Sequence, residues 1–281
     1  MVALTVDVMT EDDRSADGEG SSRRPRRRPR VWRAVVLVVV GLYFLVPFYA
    51  ALRFSLQDTQ GHFSWGAFRS IPSQQGFSEA FGLSIRLAVV TTLITLALMV
   101  PTAVYVHLRV PRLRRLFDGV TILPIVIPPV VLIVGVLEVA PTQLKSTPYL
   151  LALVYAVLAM PFAYRSLDAG LQAIDLKTLV EASRSLGGRW PITLWRVVLP
   201  NLRAALLSAT VLTVALVLGE FTMASLDQYQ TFPVWVVAFD QDDAHVSTAV
   251  SLLALVVTWV LLLGIASLDR RQFRRSRTRT G

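Results

Sequence analysis

Residues 165–205 read RSLDAGLQAIDLKTLVEASRSLGGRWPITLWRVVLPNLRAA, and they join two apolar runs, roughly Tyr149 to Tyr164 and Ala204 to Leu226. This is not a polar linker. Leu176, Leu179, Val180 and Leu186 recur at helical spacing, with Lys177, Glu181 and Arg184 on the other side. Asp175 is placed to cap that helix, and Thr178 with Glu181 three residues on offers a second capping box; the earlier start leaves the longer helix. Gly187-Gly188 then stops it. Trp190-Pro191 opens a second short helix through Leu194, Trp195, Val197 and Val198, since proline is tolerated in a first turn, and that helix should end before Pro200. The expectation is two short amphipathic helices at about 175–199 with an abrupt bend between them, lying on a membrane surface. A rigid, capped helix clipped between two spans passes a push to both; a plain amphipathic anchor is the blander alternative.

Working outward, the chain of 281 residues is 54% hydrophobic and only 17% charged. Ordinary soluble domains carry about 25% charge. Six apolar runs stand out: Ala34–Leu52, Leu87–Val106, Gly119–Val139, Tyr149–Tyr164, Ala204–Leu226 and Val246–Leu268. Runs of this length cross a hydrocarbon core of about 30 Å as helices, because an isolated segment in lipid can satisfy its backbone only within itself. Of the 28 Lys and Arg residues, 24 fall in the N-terminal tail, the second-to-third and fourth-to-fifth connections and the C-terminal tail; Arg53, Arg69, Arg86 and Lys145 lie on the other side. This asymmetry puts both termini in the cytoplasm. It also accounts for the net charge of +9 as a topology signal, without nucleic acid as a partner. Residues 1–30, acidic and then basic, are expected to be a disordered cytoplasmic tail whose arginines anchor the first span; 31–268 form the membrane domain and 269–281 a basic tail. The first apolar run is too long for the core of a cleavable signal peptide. With no cysteines, thiolate metal sites and cysteine nucleophiles are excluded. No P-loop is present, since Lys145 and Lys177 each follow a leucine, so this chain does not hydrolyse ATP itself.

Glu181-Ala182-Ser183, three residues, Gly187, nine residues, Val197, one residue, Leu199-Pro200 resembles the EAA motif of ABC-importer permeases. Ser183 stands where the motif has its second alanine, and Val197 where it has isoleucine. The second span, the proline-rich third span and LGEFTMASL in the fifth are similar to the same family, across about 31–268. The style of LVEASRSLGGRWPITLWRVVLPNL looks most like the polyamine-type branch, that of spermidine and putrescine with related iron, thiamine and phosphonate importers. The resemblance implies the type I ABC-importer permease fold in a prokaryotic inner membrane. It implies a second permease subunit, taken to be a different chain, and a dimer of ATP-binding ABC subunits that carries ATP and Mg and receives the EAA helix in a groove. It further implies an extracytoplasmic solute-binding protein and a polyamine or other small solute as cargo. The chain itself is then neither an enzyme nor a holder of a cofactor.

A few residues inside the apolar runs carry chemistry. Glu220 lies within the fifth run, where an unpaired carboxylate costs about 2.5–3.5 kcal/mol. It is either a pathway or gate residue or a hydrogen-bonded packing residue. Pro124, Pro128 and Pro129 break the third run, beside a pathway or for packing alone. Asp227, Asp240, Asp242 and Asp243 make the outer loop acidic; without histidine spacing no metal site is assigned, and a solvated loop is the simpler reading. Two other classes compete: an ion-driven secondary carrier, which wants more ionisable residues in the spans, and a membrane-embedded transferase, which wants clustered acids where there are only Asp118, Asp168 and Asp175.

Overall fold

The structure, a computed structural model, describes residues 30–57, 60–239 and 243–277. The expected disordered tail 1–29, the chain beyond 277, and Asp240 and Asp242 lie outside the described residues. The chain divides into two compact units at Phe48/Tyr49. The division falls inside the first helix, α1 (Arg30–Ser55). Up to Phe48 that helix is apolar on all sides, with Trp32, Leu37, Tyr43 and Leu45 among its exposed side chains. A helix without a polar face suits lipid or another subunit.

The second unit is built on α2 (Phe77–Arg109), followed by α3 (Arg114–Val126), α4 (Pro129–Val139) and α5 (Tyr149–Gln172). Then come α6 (Leu176–Ser185), α7 (Trp190–Asn201), α8 (Arg203–Gly219), α9 (Phe232–Phe239) and α10 (Ala244–Arg277). Among the described residues three helices, α1, α2 and α5, are long and apolar enough to cross a membrane, and the number becomes five if each of two bent pairs counts as one span. Ala244–Val260 in α10 is a shorter apolar helix.

Two expected spans are not straight. The third bends by 91° between α3 and α4. Pro128 and Pro129 sit at the N-cap and first turn of α4, where a missing N–H costs nothing, so the prolines start a helix as well as ending one. The run Ala204–Leu226 is not continuous either. α8 ends at Gly219, Glu220 is extended, and a short turn of helix, Thr222–Leu226, follows. The fourth helix, expected to stop at Tyr164, continues to Gln172 because its charged residues are paired there: Arg165 with Asp118 and Asp168 with Arg114.

α2, α5 and α8 pack against one another as the centre of the unit. Their contacts are made by small residues, including Ala103, Ala156, Ala163 and Ala209, all fully buried. At Gly170 on α5 an added Cβ would come within 2.5 Å of the Ala205 Cβ on α8. Lipid tails are as apolar as leucine, so helices in a bilayer gain by close backbone approach, and that requires small side chains. One apolar cluster lies at the end carrying α6 and α7, a second around Tyr155 and α4, and a third around Trp235 and the start of α10.

Candidate functional site: the loop between α5 and α8 and its root

α6 begins where Asp175 accepts two hydrogen bonds, from the Thr178 N–H at 3.3 Å and the Thr178 hydroxyl at 2.7 Å. These bonds hold the Asp175 carboxyl below the usual carboxylate range. Thr178 therefore serves inside the helix, and the alternative start at that residue is not used. The end of α6 uses its two glycines differently. Gly187 has φ +80°, the left-handed conformation, and its N–H donates to the Arg184 carbonyl at 2.9 Å. A Cβ there would meet nothing within 4 Å, so only the backbone requires glycine. Gly188 donates to the Ser183 carbonyl, and a Cβ on it would stand 2.5 Å from Ser183 Oγ and 2.7 Å from Ser183 O. Here the requirement is space.

α7 starts at Trp190 with Pro191 in its first turn, as the sequence leads one to expect. It does not end before Pro200. Residues Leu194–Val198 form a π-turn, with the Leu199 N–H donating to the Leu194 carbonyl, and the helix runs on to Asn201. A widened turn just ahead of a proline lets the helix pass a residue that has no N–H to give. The sharp bend, 79°, comes afterwards at Leu202.

The two helices are fastened to each other and to the membrane unit. Ser183 Oγ and Thr193 Oγ1 lie 2.8 Å apart, and Thr193 is fully buried. Leu176 and Val180 of α6, with Val198 and Leu202 from the α7 end, enter one apolar cluster with Val104 of α2 and Tyr164, Leu167 and Leu171 of α5. Leu186, expected on the apolar face of α6, is instead 90% exposed, because the helix has already turned out at Gly187. Ile192 and Trp195, the latter 71% exposed, are further exposed apolar side chains of the loop. Glu181, Ala182 and Pro200 are also exposed, while Val197 and Leu199 are half-buried. The structure thus brings all seven motif residues into one bent, rooted device.

Polar contacts brace the same end of the unit. Arg114 of α3 binds Asp168 of α5 through both nitrogens, Nε to Oδ1 at 2.6 Å and Nη2 to Oδ2 at 2.7 Å. Gln172 donates to Asp168 at 2.7 Å, His107 Nε2 stands 3.5 Å from it, and Arg165 lies 3.4 Å from Asp118. Read as scattered acids in the sequence, Asp118 and Asp168 fix the first arm of the bent span to α5. Thr193 and this clamp escaped the sequence reading. The signals for them were the serine in the motif and charges beyond the apparent end of an apolar run.

The candidate pathway residues lie elsewhere. Glu220 Oε2 accepts the Tyr155 hydroxyl at 3.0 Å, and the carboxylate accepts the Met223 N–H at 3.0 and 3.1 Å and the Ala224 N–H at 3.4 Å. It caps the turn Thr222–Leu226 and ties it to α5, with partners inside the same chain. Ile133, Val136 and Leu137 of α4 pack in the same cluster as Tyr155, Met223 and Ala224, so the helix opened by Pro129 and the turn capped by Glu220 meet. Pro124 lies within α3 and Pro128 at the bend, away from the loop Glu181 to Pro200 in sequence. Of the acidic outer loop, Asp243 Oδ1 caps α10 by accepting the His245 and Val246 N–H groups at 3.0 and 3.1 Å. Burial pushes the Asp227 carboxyl up.

The chain belongs to the family of binding-protein-dependent transport system inner membrane components, whose model matches residues 99–278. It is therefore a permease component of an ABC importer and a multi-pass membrane protein. Among its relatives is a protein of Haloferax volcanii named "Probable molybdenum ABC transporter permease protein", 30% identical over 86% of this chain and 96% of the relative. The molybdenum transport system permease protein of Mycobacterium tuberculosis is 28% identical over 72% of this chain and 84% of its own length. A sulfate transport system permease protein of Synechococcus elongatus is 34% identical over 45% of this chain and 46% of its own length. In fold, the chain is similar to a bacterial ABC transporter involved in the import of the acidic polysaccharide alginate, with TM-score 0.63, 15% identity, and 87% of this chain and 96% of that one covered. An amino acid ABC transporter with histidines gives TM-score 0.51 at 16% identity over 73% of this chain and 97% of that one.

Proposed function

We propose that this chain is the permease subunit of an importer for a small oxyanion of the molybdate or sulfate kind. In this reading it pairs with a second permease and is driven by an ATPase subunit seated on the loop Glu181 to Pro200. The observation that carries the coupling role is the loop's build: exposed apolar side chains at Leu186, Ile192 and Trp195 on helices rooted in the α2–α5 core. A plain surface anchor needs no such root. The oxyanion reading rests on the relatives, whose names concern molybdenum and sulfate; they do not support the polyamine cargo expected from the sequence. Glu220 agrees with this. Its carboxylate is taken up by Tyr155 and two backbone N–H groups and is not a free anion awaiting a cationic solute.

Six spans with both termini inside complete the proposal, α10 supplying the sixth. Reporter fusions after Arg115 and after Leu268 then read cytoplasmic, and one after Asp243 external. A solute-binding protein serves the external face. The cargo test is uptake into proteoliposomes holding the complete complex and its binding protein. ATP-dependent accumulation of molybdate or sulfate, with spermidine excluded, is the expected result. Spermidine uptake with neither oxyanion carried would return the chain to the polyamine branch.

A further inference from the structure

We propose that the groove between the last turns of α2 and the first coupling helix, α6, holds an anionic phospholipid drawn from the adjoining leaflet. The inference rests on the membrane-permease reading but not on any particular cargo. The groove has a volume of about 830 Å³. Its apolar wall comes from Pro101, Tyr105 and Val106 of α2 with Phe117 of α3. Its rim carries Arg109, Lys177 and Arg184 against a single carboxylate, Glu181. All four charged residues are exposed, and among the described residues none of them makes an ion pair. Three cations facing one anion leave the rim short of negative charge.

A soluble anion would use the rim and leave the wall idle. The wall calls for a ligand with a hydrocarbon part, and α2 shows where that part lies. Pro101, Tyr105 and Arg109 follow at steps of four residues, and all three are exposed and line the groove. Residues four apart stack along one side of a helix, so a short apolar track runs along the last turns of α2 and ends on a guanidinium. An acyl chain laid on this track brings its phosphate to Arg109. Lys177 and Arg184, one and nearly two turns apart from Glu181 and Lys177 on the groove side of α6, reach the same phosphate from the coupling loop. Trp190 and Tyr105 also line the groove, and amphipathic aromatic rings of this kind favour a membrane interface. The lipid thus ties the end of a spanning helix to the helix that receives the ATPase.

The test is native mass spectrometry of the complete complex, released from nanodiscs of equal phosphatidylglycerol and phosphatidylcholine. The wild type is expected to retain phosphatidylglycerol in preference to phosphatidylcholine. Each cation removed in Arg109→Gln, Lys177→Gln and Arg184→Gln is expected to weaken that retention about fivefold, the factor for about 1 kcal/mol per basic residue near an anionic lipid surface. Arg196→Gln with Arg203→Gln removes charge from the same loop but not from the groove, and should retain the lipid. Equal retention in the triple variant, or no preference in the wild type, overturns the proposal; a groove filled by another subunit would show itself in the latter way. Because neither cargo nor ATP enters the measurement, its failure would leave the importer assignment standing.

Discussion

Ser183 and Thr193 lie ten residues apart, and their hydroxyls 2.8 Å apart, across the bend between α6 and α7. Thr193 is sealed from solvent, so its hydroxyl has no ready substitute partner. A buried hydroxyl left unpaired costs about 1–3 kcal/mol, whereas replacing both partners by apolar groups of similar shape is nearly neutral. Thr193→Val alone and Ser183→Ala alone should therefore each lower the thermal stability of the purified complex and the cargo carried per ATP. The double variant should recover part of both losses, with a coupling of about 0.5–1.5 kcal/mol in the mutant cycle. Strict additivity would mean that the two hydroxyls act separately and that the bend is held by packing alone. Glu220 teaches a related lesson at the same scale. A carboxylate in an apolar run announces itself in sequence, but its partner, the Tyr155 hydroxyl 65 positions away, does not. Only the approach of α5 decides between the packing role and a free charge.

At the scale of the element, α6 is a helix of ten residues, too short to persist on propensity alone. Its cap matters accordingly. The Thr178 hydroxyl, and then its N–H, hold the Asp175 carboxyl below its ordinary value. A depressed carboxylate contributes stability that is fully present above the unfolded value of about 3.9 and is lost as pH falls through the lower folded value. Amide-exchange protection over residues 176–185, corrected for intrinsic rates, is therefore expected to be level from neutral pH down to about 5 and to fall only in stronger acid. Asp175→Asn keeps the cap and should remove the acid step. Asp175→Ala should lower protection at every pH. A step near neutrality would assign the control of this helix to another group. The capping aspartate, the glycine stop and the Trp-Pro restart were all readable, because each acts through its own backbone within a few residues. The passage of α7 through Pro200 was not, since a π-turn trades one hydrogen-bond pattern for another at little cost and leaves no residue signature.

At the scale of the molecule, the loop is a lever with a buried root and an exposed tip. Leu186 and Trp195, both largely exposed, are the tip, and under the proposed function they are the apolar side chains an ATPase subunit would cover. Leu186→Asp and Trp195→Ala should each weaken capture of the ATPase subunit by about tenfold or more while leaving the permease in the membrane, measured as subunit co-purification at fixed expression. Undiminished capture would move the docking surface elsewhere. The Arg114–Asp168 clamp marks where sequence reading stops. Both charges are visible in the sequence, but they lie 54 positions apart and pair only because the start of α3 packs against the last turns of α5. The sequence by itself determined the membrane class, the apolar runs, the proline break in the third of them, the two amphipathic helices and the family. Hydropathy, charge asymmetry, proline and glycine all act locally, along a chain that lipid forces into helices. Tertiary structure alone decided which helices form the centre, how far the third span turns, what Glu220 and Asp168 bind, and which apolar residues of the loop face inward. Those outcomes depend on the close approach of distant helices across small residues, and no local pattern records which surfaces will meet.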